Sequence, residues 1–228
     1  IIDPVTGNLL NHYSGEKKET SVPSKFIFDL FKDSEEDIWI GGVDNVMCYL
    51  SKEKQFKSYP IKPVNSFYEL FPGQILGTYS HGLALIHKYS GDIEILIDSC
   101  LAHDVIAIDN DIWIATSGNG LIQYNLVNKS KKWFTTDSGL PSNYLNSLIY
   151  TDGYLWIGTE NGLCQLNISN YSIQTYSSLL SLSKSAFNIN SCIQLKNGNL
   201  IWGTNNGALM FTPEKLHQTE HKGRIYLQ

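Results

Sequence analysis

One short pattern recurs five times along the 228 residues: two apolar residues, a small residue, then a polar turn. It is clearest in Leu155-Trp156-Ile157-Gly158-Thr159-Glu160-Asn161-Gly162-Leu163. Looser copies run from Trp39 to Val46, Ile75 to Leu83, Trp113 to Leu121 and Ile201 to Leu209. Gly41, Gly77, Ala115, Gly158 and Gly203 mark the copies, at intervals of 36, 38, 43 and 45 residues. Self-similarity at roughly 40 residues signals a repeat architecture, in which each unit buries its apolar face only against its neighbours.

The fourth copy shows what one unit contains. Asn143–Tyr150, Tyr154–Ile157, Leu163–Asn167 and Ser172–Tyr176 read as four short strands. Asp152-Gly153 and Asn161-Gly162 lie in the gaps, the residue pairs that tight hairpins require. Four antiparallel strands in a repeat of this length describe one blade of a β-propeller. A helical solenoid would need a long apolar stripe at i, i+3, i+4, i+7, and no stretch of ten residues carries one uninterrupted by Gly and Asn. Leu155-Trp156-Ile157 and Gly120-Leu121-Ile122 are continuous apolar runs, as strands covered on both faces should be. The expectation is an all-β chain, a β-propeller of four-stranded antiparallel blades.

Laid along the chain, residues 1–216 form the propeller: a partial blade at 1–16, then blades at 21–59, 61–97, 98–136, 137–177 and 185–216. Residues 217–228 are a tail or the start of a following β-sandwich. The chain starts inside a repeat without Met, so a trimmed or proteolytic fragment, with further blades before residue 1, is expected.

Composition excludes some functions. The net charge of −5 argues against a nucleic-acid partner. The basic run Lys129-Ser130-Lys131-Lys132 falls in a predicted outer turn and reads as a solvated edge. No apolar segment reaches the roughly 18 residues of a membrane span. Cys48, Cys100, Cys164 and Cys192 lack metal-ligand spacing and read as unpaired thiols, so neither a metal nor a cofactor is expected.

The repeats resemble the two-component regulator propeller repeat. The third and fourth copies carry the pattern best, from Asp111 to Leu121 and from Gly153 to Leu163, and Ser138-Gly139-Leu140-Pro141-Ser142-Asn143 matches the segment that opens a blade in that family. The first two copies depart from it: Gly42 replaces the Thr and Leu76 the Trp. The resemblance implies the periplasmic sensor region of a hybrid two-component histidine kinase of the Bacteroidetes type. Such a parent protein is membrane-anchored, and a homodimer is implied for the full-length sensor.

Propellers bind ligands mainly on the face where the turns between second and third strands meet the connectors between blades. There the sequence places Tyr79, His81, Asn119 and Glu160 on turns, and His103, Asp104, Asn143 and Tyr144 on connectors. Amides, hydroxyls, carboxylates and aromatic rings together suit an oligosaccharide. Most of the Asn residues are also what tight turns demand. The residues that break the repeat, Tyr79, His81, His103 and Asp104, are therefore the better ligand candidates. No nucleophile elbow, phosphate loop or His-Glu-x-x-His motif occurs, and no catalytic residue is expected. The alternatives to a glycan sensor are a protein-interaction scaffold and a polysaccharide lyase or hydrolase, with His81, His103 and Asp104 as base and orienter in the last case.

Overall fold

The computed structural model describes residues 2–10, 12, 26–176 and 186–218. The expected partial blade lies partly outside these residues, and the tail at 217–228 almost wholly so. The chain divides into two compact units, Ile1–Val105 and Ile106–Gln228, each built of short antiparallel sheets.

In the first unit, β1 (Ile27–Lys32), β2 (Ile38–Gly42), β3 (Val46–Leu50) and β4 (Gln55–Tyr59) form one sheet in that order. β5 (Val64–Phe71), β6 (Gln74–Tyr79), β7 (Gly82–His87) and β8 (Ile93–Asp98) form the next. The two blades meet around Trp39, which is fully buried. Its ring lies 5.0 Å from that of Tyr59 and 6.1 Å from that of Phe67 on the following blade. Gly41 allows this approach: a Cβ there would stand 2.7 Å from the Val64 carbonyl and 2.9 Å from the Phe67 ring.

β9 (Ala102–Ile108) begins in the first unit and joins β10 (Asp111–Thr116), β11 (Leu121–Asn125) and β12 (Lys131–Phe134) in a third sheet. The second unit also holds β13 (Leu145–Thr151), β14 (Tyr154–Thr159), β15 (Gly162–Asn167) and β16 (Ile173–Thr175). A fifth sheet, three-stranded among the described residues, contains β17 (Phe187–Gln194), β18 (Leu200–Thr204) and β19 (Gly207–Phe211). Where a fourth strand would follow, the chain instead forms α1 (Pro213–Gln218), and Leu216 packs into the core with Trp156, Phe187 and Trp202. Lys131 and Lys132, read from sequence as part of a turn, lie in the outer strand β12.

The pattern of each blade follows from burial. The middle strands β7, β10, β14 and β15 are buried along nearly their whole length, whereas β12 is exposed at three of four positions. Trp39, Trp113, Trp156 and Trp202 are fully buried, so the repeated tryptophans are packing residues. Each such side chain contributes about 1.5–3 kcal/mol by leaving water. Asp152 and Gly153 both have positive φ, 52° and 81°, as a two-residue hairpin loop with the right twist needs. None of the four cysteines is in a disulfide; three are buried and Cys192 is half-buried. The fold is an all-β propeller of antiparallel blades.

Candidate functional site

The turns between second and third strands share one device in three blades. Thr159 Oγ1 donates to the Gly162 carbonyl at 2.8 Å and accepts from the Asn161 N–H at 3.0 Å. Thr204 does the same with Gly207 and Asn206 at 3.1 and 3.2 Å, and Thr116 with Gly120 and Asn119 at 2.6 and 3.2 Å. A threonine hydroxyl thus satisfies polar groups that a tight turn leaves without partners.

The β6–β7 turn lacks that device. Tyr79 pairs with Gly82 in the ladder as Thr159 pairs with Gly162, so Tyr79 occupies the threonine's place. A phenol hydroxyl is too far from its own backbone to close the turn. The residues of the turn interact with one another instead: the Tyr79 and His81 rings lie 5.9 Å apart, and Ser80 Oγ is 2.8 Å from His81 Nδ1. His81 is exposed and Tyr79 half-buried. Burial, with the nearby Asp98 carboxylate, holds the Tyr79 hydroxyl above the ordinary phenol range, so it remains a hydrogen-bond donor at neutral pH.

His103 and Asp104 are placed less openly than their expected position on a connector. Both lie inside β9, each only 9% exposed. Asp104 Oδ1 accepts from Ser66 Oγ and from the Val105 N–H, each at 2.8 Å, and the His103 carbonyl accepts from Thr78 Oγ1 at 3.3 Å. They support the strand that carries Tyr79 rather than lining an open surface beside it.

The second unit gathers the other four candidates. The Asn143 carbonyl accepts from the Gly118 and Gly120 N–H groups, both at 3.0 Å, and its Oδ1 accepts from Thr136 N–H at 2.9 Å. Asn143 therefore braces the turn that carries Asn119. Tyr144 is bridged to Ser117, and its carbonyl accepts the Glu160 N–H at 3.0 Å. The side chains of Asn119, Tyr144 and Glu160 are exposed on adjoining turns of this unit.

One constellation escaped sequence reading. At the ends of the strands opposite the Tyr79 turn, Lys88 is buried to 2% exposure. Its Nζ lies 2.6 Å from Asp33 Oδ2, 2.6 Å from Asp37 Oδ2 and 2.7 Å from Glu35 Oε2. Asp33 also accepts from Trp39 Nε1 at 2.9 Å, which ties the cluster to the blade-to-blade core. Burial pushes the Asp33 carboxyl up, but its bonds to Lys88 and Trp39 outweigh this and hold it below the ordinary range. Lys88 is displaced upward: burial opposes its charge, and the three carboxylates more than offset that. Ligand atoms of Asp33, Asp37 and Cys48 come within 4.8 Å of one another, a spacing that would suit a metal ion, but the Lys88 ammonium already supplies the positive charge. The signal lay in comparing copies. The Lys88 N–H bonds to Gly73 as Leu126 N–H bonds to Asn110 and Ile168 N–H to Gly153, so a lysine stands where two other blades have an aliphatic residue.

Residues 139–161 match the two component regulator propeller family. No curated protein matches the chain as a sequence relative. Among solved structures, the chain is similar to the extracellular domain assigned to a hybrid two component system of B. thetaiotaomicron. The identity is 21%, the TM-score 0.73, and the match covers 90% of this chain and 28% of that one. A second such domain from the same organism is 14% identical with a TM-score of 0.69, covering 84% of this chain and 29% of the other. A computationally designed protein, Ika8, is 11% identical with a TM-score of 0.64, covering 92% of this chain and 64% of its own. The chain thus spans less than a third of the two natural domains. The match to the two component regulator propeller repeat thus falls at residues 139–161, within a propeller fold.

Proposed function

We propose that this chain is a ligand-sensing, non-catalytic propeller region of a two-component sensor, that it lies in the periplasm, and that its ligand is an oligosaccharide. The observation that carries the reading is the β6–β7 turn, where Tyr79 and His81 replace the self-capping Thr-x-Asn of the fourth and fifth blades. A turn that gives up its internal hydrogen bond to present an aromatic ring, an imidazole and a hydroxyl is shaped for an external partner. Those groups suit a pyranose, whose C–H face stacks on an aromatic ring and whose hydroxyls both donate and accept. The likeness to extracellular domains of hybrid two component systems supports the sensor context and the extracytoplasmic side. In the parent protein, a membrane-anchored homodimer with a cytoplasmic histidine kinase, ligand binding acts by favouring one dimer geometry over another.

A second reading, an interaction scaffold, draws on β1 and the residue before it, where Leu30 and Phe26 are 65% and 66% exposed. Calorimetry separates the two. Titration with a panel of neutral and acidic oligosaccharides gives a saturable heat for at least one member on the sensor reading. Heat from none of them leaves the scaffold.

A further inference from the structure

A cavity lined by Glu35, Asp37, Lys57, Lys88 and Tyr89 has a counterpart in the second unit. Between the ends of β10–β12 and the turn after β15 lies a cavity of about 290 Å³, lined by Asp111, Gln123, Asn125, Ser130, Lys132 and Tyr171. Strand register makes the two places equivalent. Trp113 pairs with Gln123 as Trp39 pairs with Cys48, and Gln123 pairs with Lys132 as Cys48 pairs with Lys57. Counting back two residues from each tryptophan brings Asp111 onto Asp37.

The difference is in what fills the place. In the first unit the next blade sends in Lys88, whose ammonium pairs with Asp33, Glu35 and Asp37. In the second unit the corresponding residue is Ile168, and among the described residues the Asp111 carboxylate is met by two amides. Gln123 Nε2 donates to its Oδ2 at 2.8 Å and Asn125 Nδ2 to its Oδ1 at 2.7 Å. Gln123, 8% exposed, also reaches the Tyr171 hydroxyl at 3.2 Å. Two donors leave a carboxylate with acceptor capacity to spare. Trp113 and Phe134 hold the Tyr171 ring from behind, at 6.3 and 5.5 Å, and Lys132 Nζ lies 3.6 Å from its centroid.

The notch therefore combines a fixed carboxylate, two oriented amides, a serine hydroxyl, a braced aromatic ring and one movable cation. The charges balance, so the site favours neither a bare cation nor a strongly anionic ligand. It is well furnished for a compact group that donates and accepts hydrogen bonds and also has an apolar face. The volume is at the small end of the roughly 300–1,000 Å³ of small-molecule pockets, enough for one ring. We infer that this notch is a second saccharide subsite, taking a single pyranose unit whose hydroxyls bond Asp111 and Gln123 and whose C–H face covers Tyr171 once Lys132 swings aside. The choice of ligand class rests on the saccharide reading above; the location does not.

The test is saturation-transfer NMR on the chain with glucose, galactose and glucuronate at about 10 mM, suited to the millimolar affinity of a single ring. Asp111→Asn keeps the side-chain shape and removes the charge. Tyr171→Asn removes the ring, and Asn tolerates the φ of +61° found there. Lys132→Met, on an exposed strand, checks for effects on folding. The inference requires, in a Tyr79→Thr, His81→Asn background that takes the β6–β7 turn out of the comparison, transfer to at least one sugar that falls about tenfold when either Asp111→Asn or Tyr171→Asn is added. No transfer to any of the three sugars overturns it, as does transfer that persists in both notch variants. Loss of the wild-type transfer in that background places the binding at the β6–β7 turn and likewise overturns it, while leaving the sensor reading intact.

Discussion

Replacing Lys88 with Met tests whether the buried charge cluster holds the first two blades together. The substitution keeps most of the aliphatic stem and deletes the ammonium. Asp33, whose side chain is fully buried, then loses the cation 2.6 Å from its Oδ2. Removing one partner of a buried ion pair costs about 3–5 kcal/mol, because the remaining charge is left uncompensated. For a chain of this size each kcal/mol lowers Tm by about 2–4 °C, which gives a drop of about 6–20 °C. Asp33→Asn added to Lys88→Met recovers part of it, since the uncompensated charge is gone and the amide oxygen can still accept from the Glu35 and Asp37 N–H groups, although the Trp39 bond is lost.

The pH dependence gives a second readout with a definite sign. In the wild type, Asp33 and Glu35 are held below the ordinary carboxylate range, Glu35 through its bonds to Lys88 and Tyr89. Their contribution is present above the unfolded-state pKa of about 4 and is lost as pH falls through the depressed folded values. Lys88 is displaced upward, so its contribution is complete below the unfolded-state pKa of about 10 and is lost progressively as pH rises from there through the folded value. In Lys88→Met the buried Asp33 has burial without its cation, its folded pKa rises, and stability increases on acidification from neutral pH. Scanning calorimetry or thermal circular dichroism between pH 4 and 8 (about the window set by these pKa values) measures both effects. A change in Tm below about 2 °C, or an unchanged pH slope, refutes the reasoning.

Other consequences are simpler to state. Gly158→Ala places a Cβ 2.6 Å from Ser147 Oγ, 2.9 Å from Trp202 Nε1 and 3.0 Å from Phe187 Cβ, so overpacking should destabilise by about 1–3 kcal/mol. Gly77→Ala meets nothing nearer than 3.5 Å and should change stability by no more than about 0.5 kcal/mol, both read from denaturant midpoints. Burial raises the Cys48 thiol to about 12 and the Cys164 thiol further still, so neither reacts with a thiol reagent at pH 8 (about half a unit below a free thiol's pKa) until the chain unfolds. Cys192, half-buried, labels first, as peptide mapping after brief exposure should show.

Much of this architecture was legible because a propeller writes the same solution several times. The repeated Trp at the second strand, the Asp-Gly turn at 152–153 and the Thr-x-Asn-Gly turn at 159–162 report local needs: burial on both faces, positive φ and a closed hairpin. Tyr79 and His81 were legible for the opposite reason, since they break a rule that three other copies keep. Register sharpened this, putting Tyr79 and not Thr78 in the place of Thr159. His103 and Asp104 were harder to place, because a polar pair before an apolar run reads as a connector, yet Ser66 and Thr78 satisfy it inside the sheet. Lys88 was missed because its partners lie 51 to 55 residues earlier in the chain, on the turn of another blade. α1 replaces an expected strand edge through Leu216, whose role depends on Trp156 and Trp202 already being packed together.

The most direct test of the sensor account exchanges the divergent turn for a consensus one. Tyr79→Thr with His81→Asn gives blade two the self-capping sequence of blade four, and a fold that closes three such turns should accept it without loss of Tm. Calorimetric titration with whichever oligosaccharide binds the wild-type chain then decides the matter. The account predicts that affinity falls by at least about tenfold, about 1.4 kcal/mol, while thermal stability is unchanged. Undiminished affinity in the exchanged protein would contradict the assignment of ligand recognition to this turn.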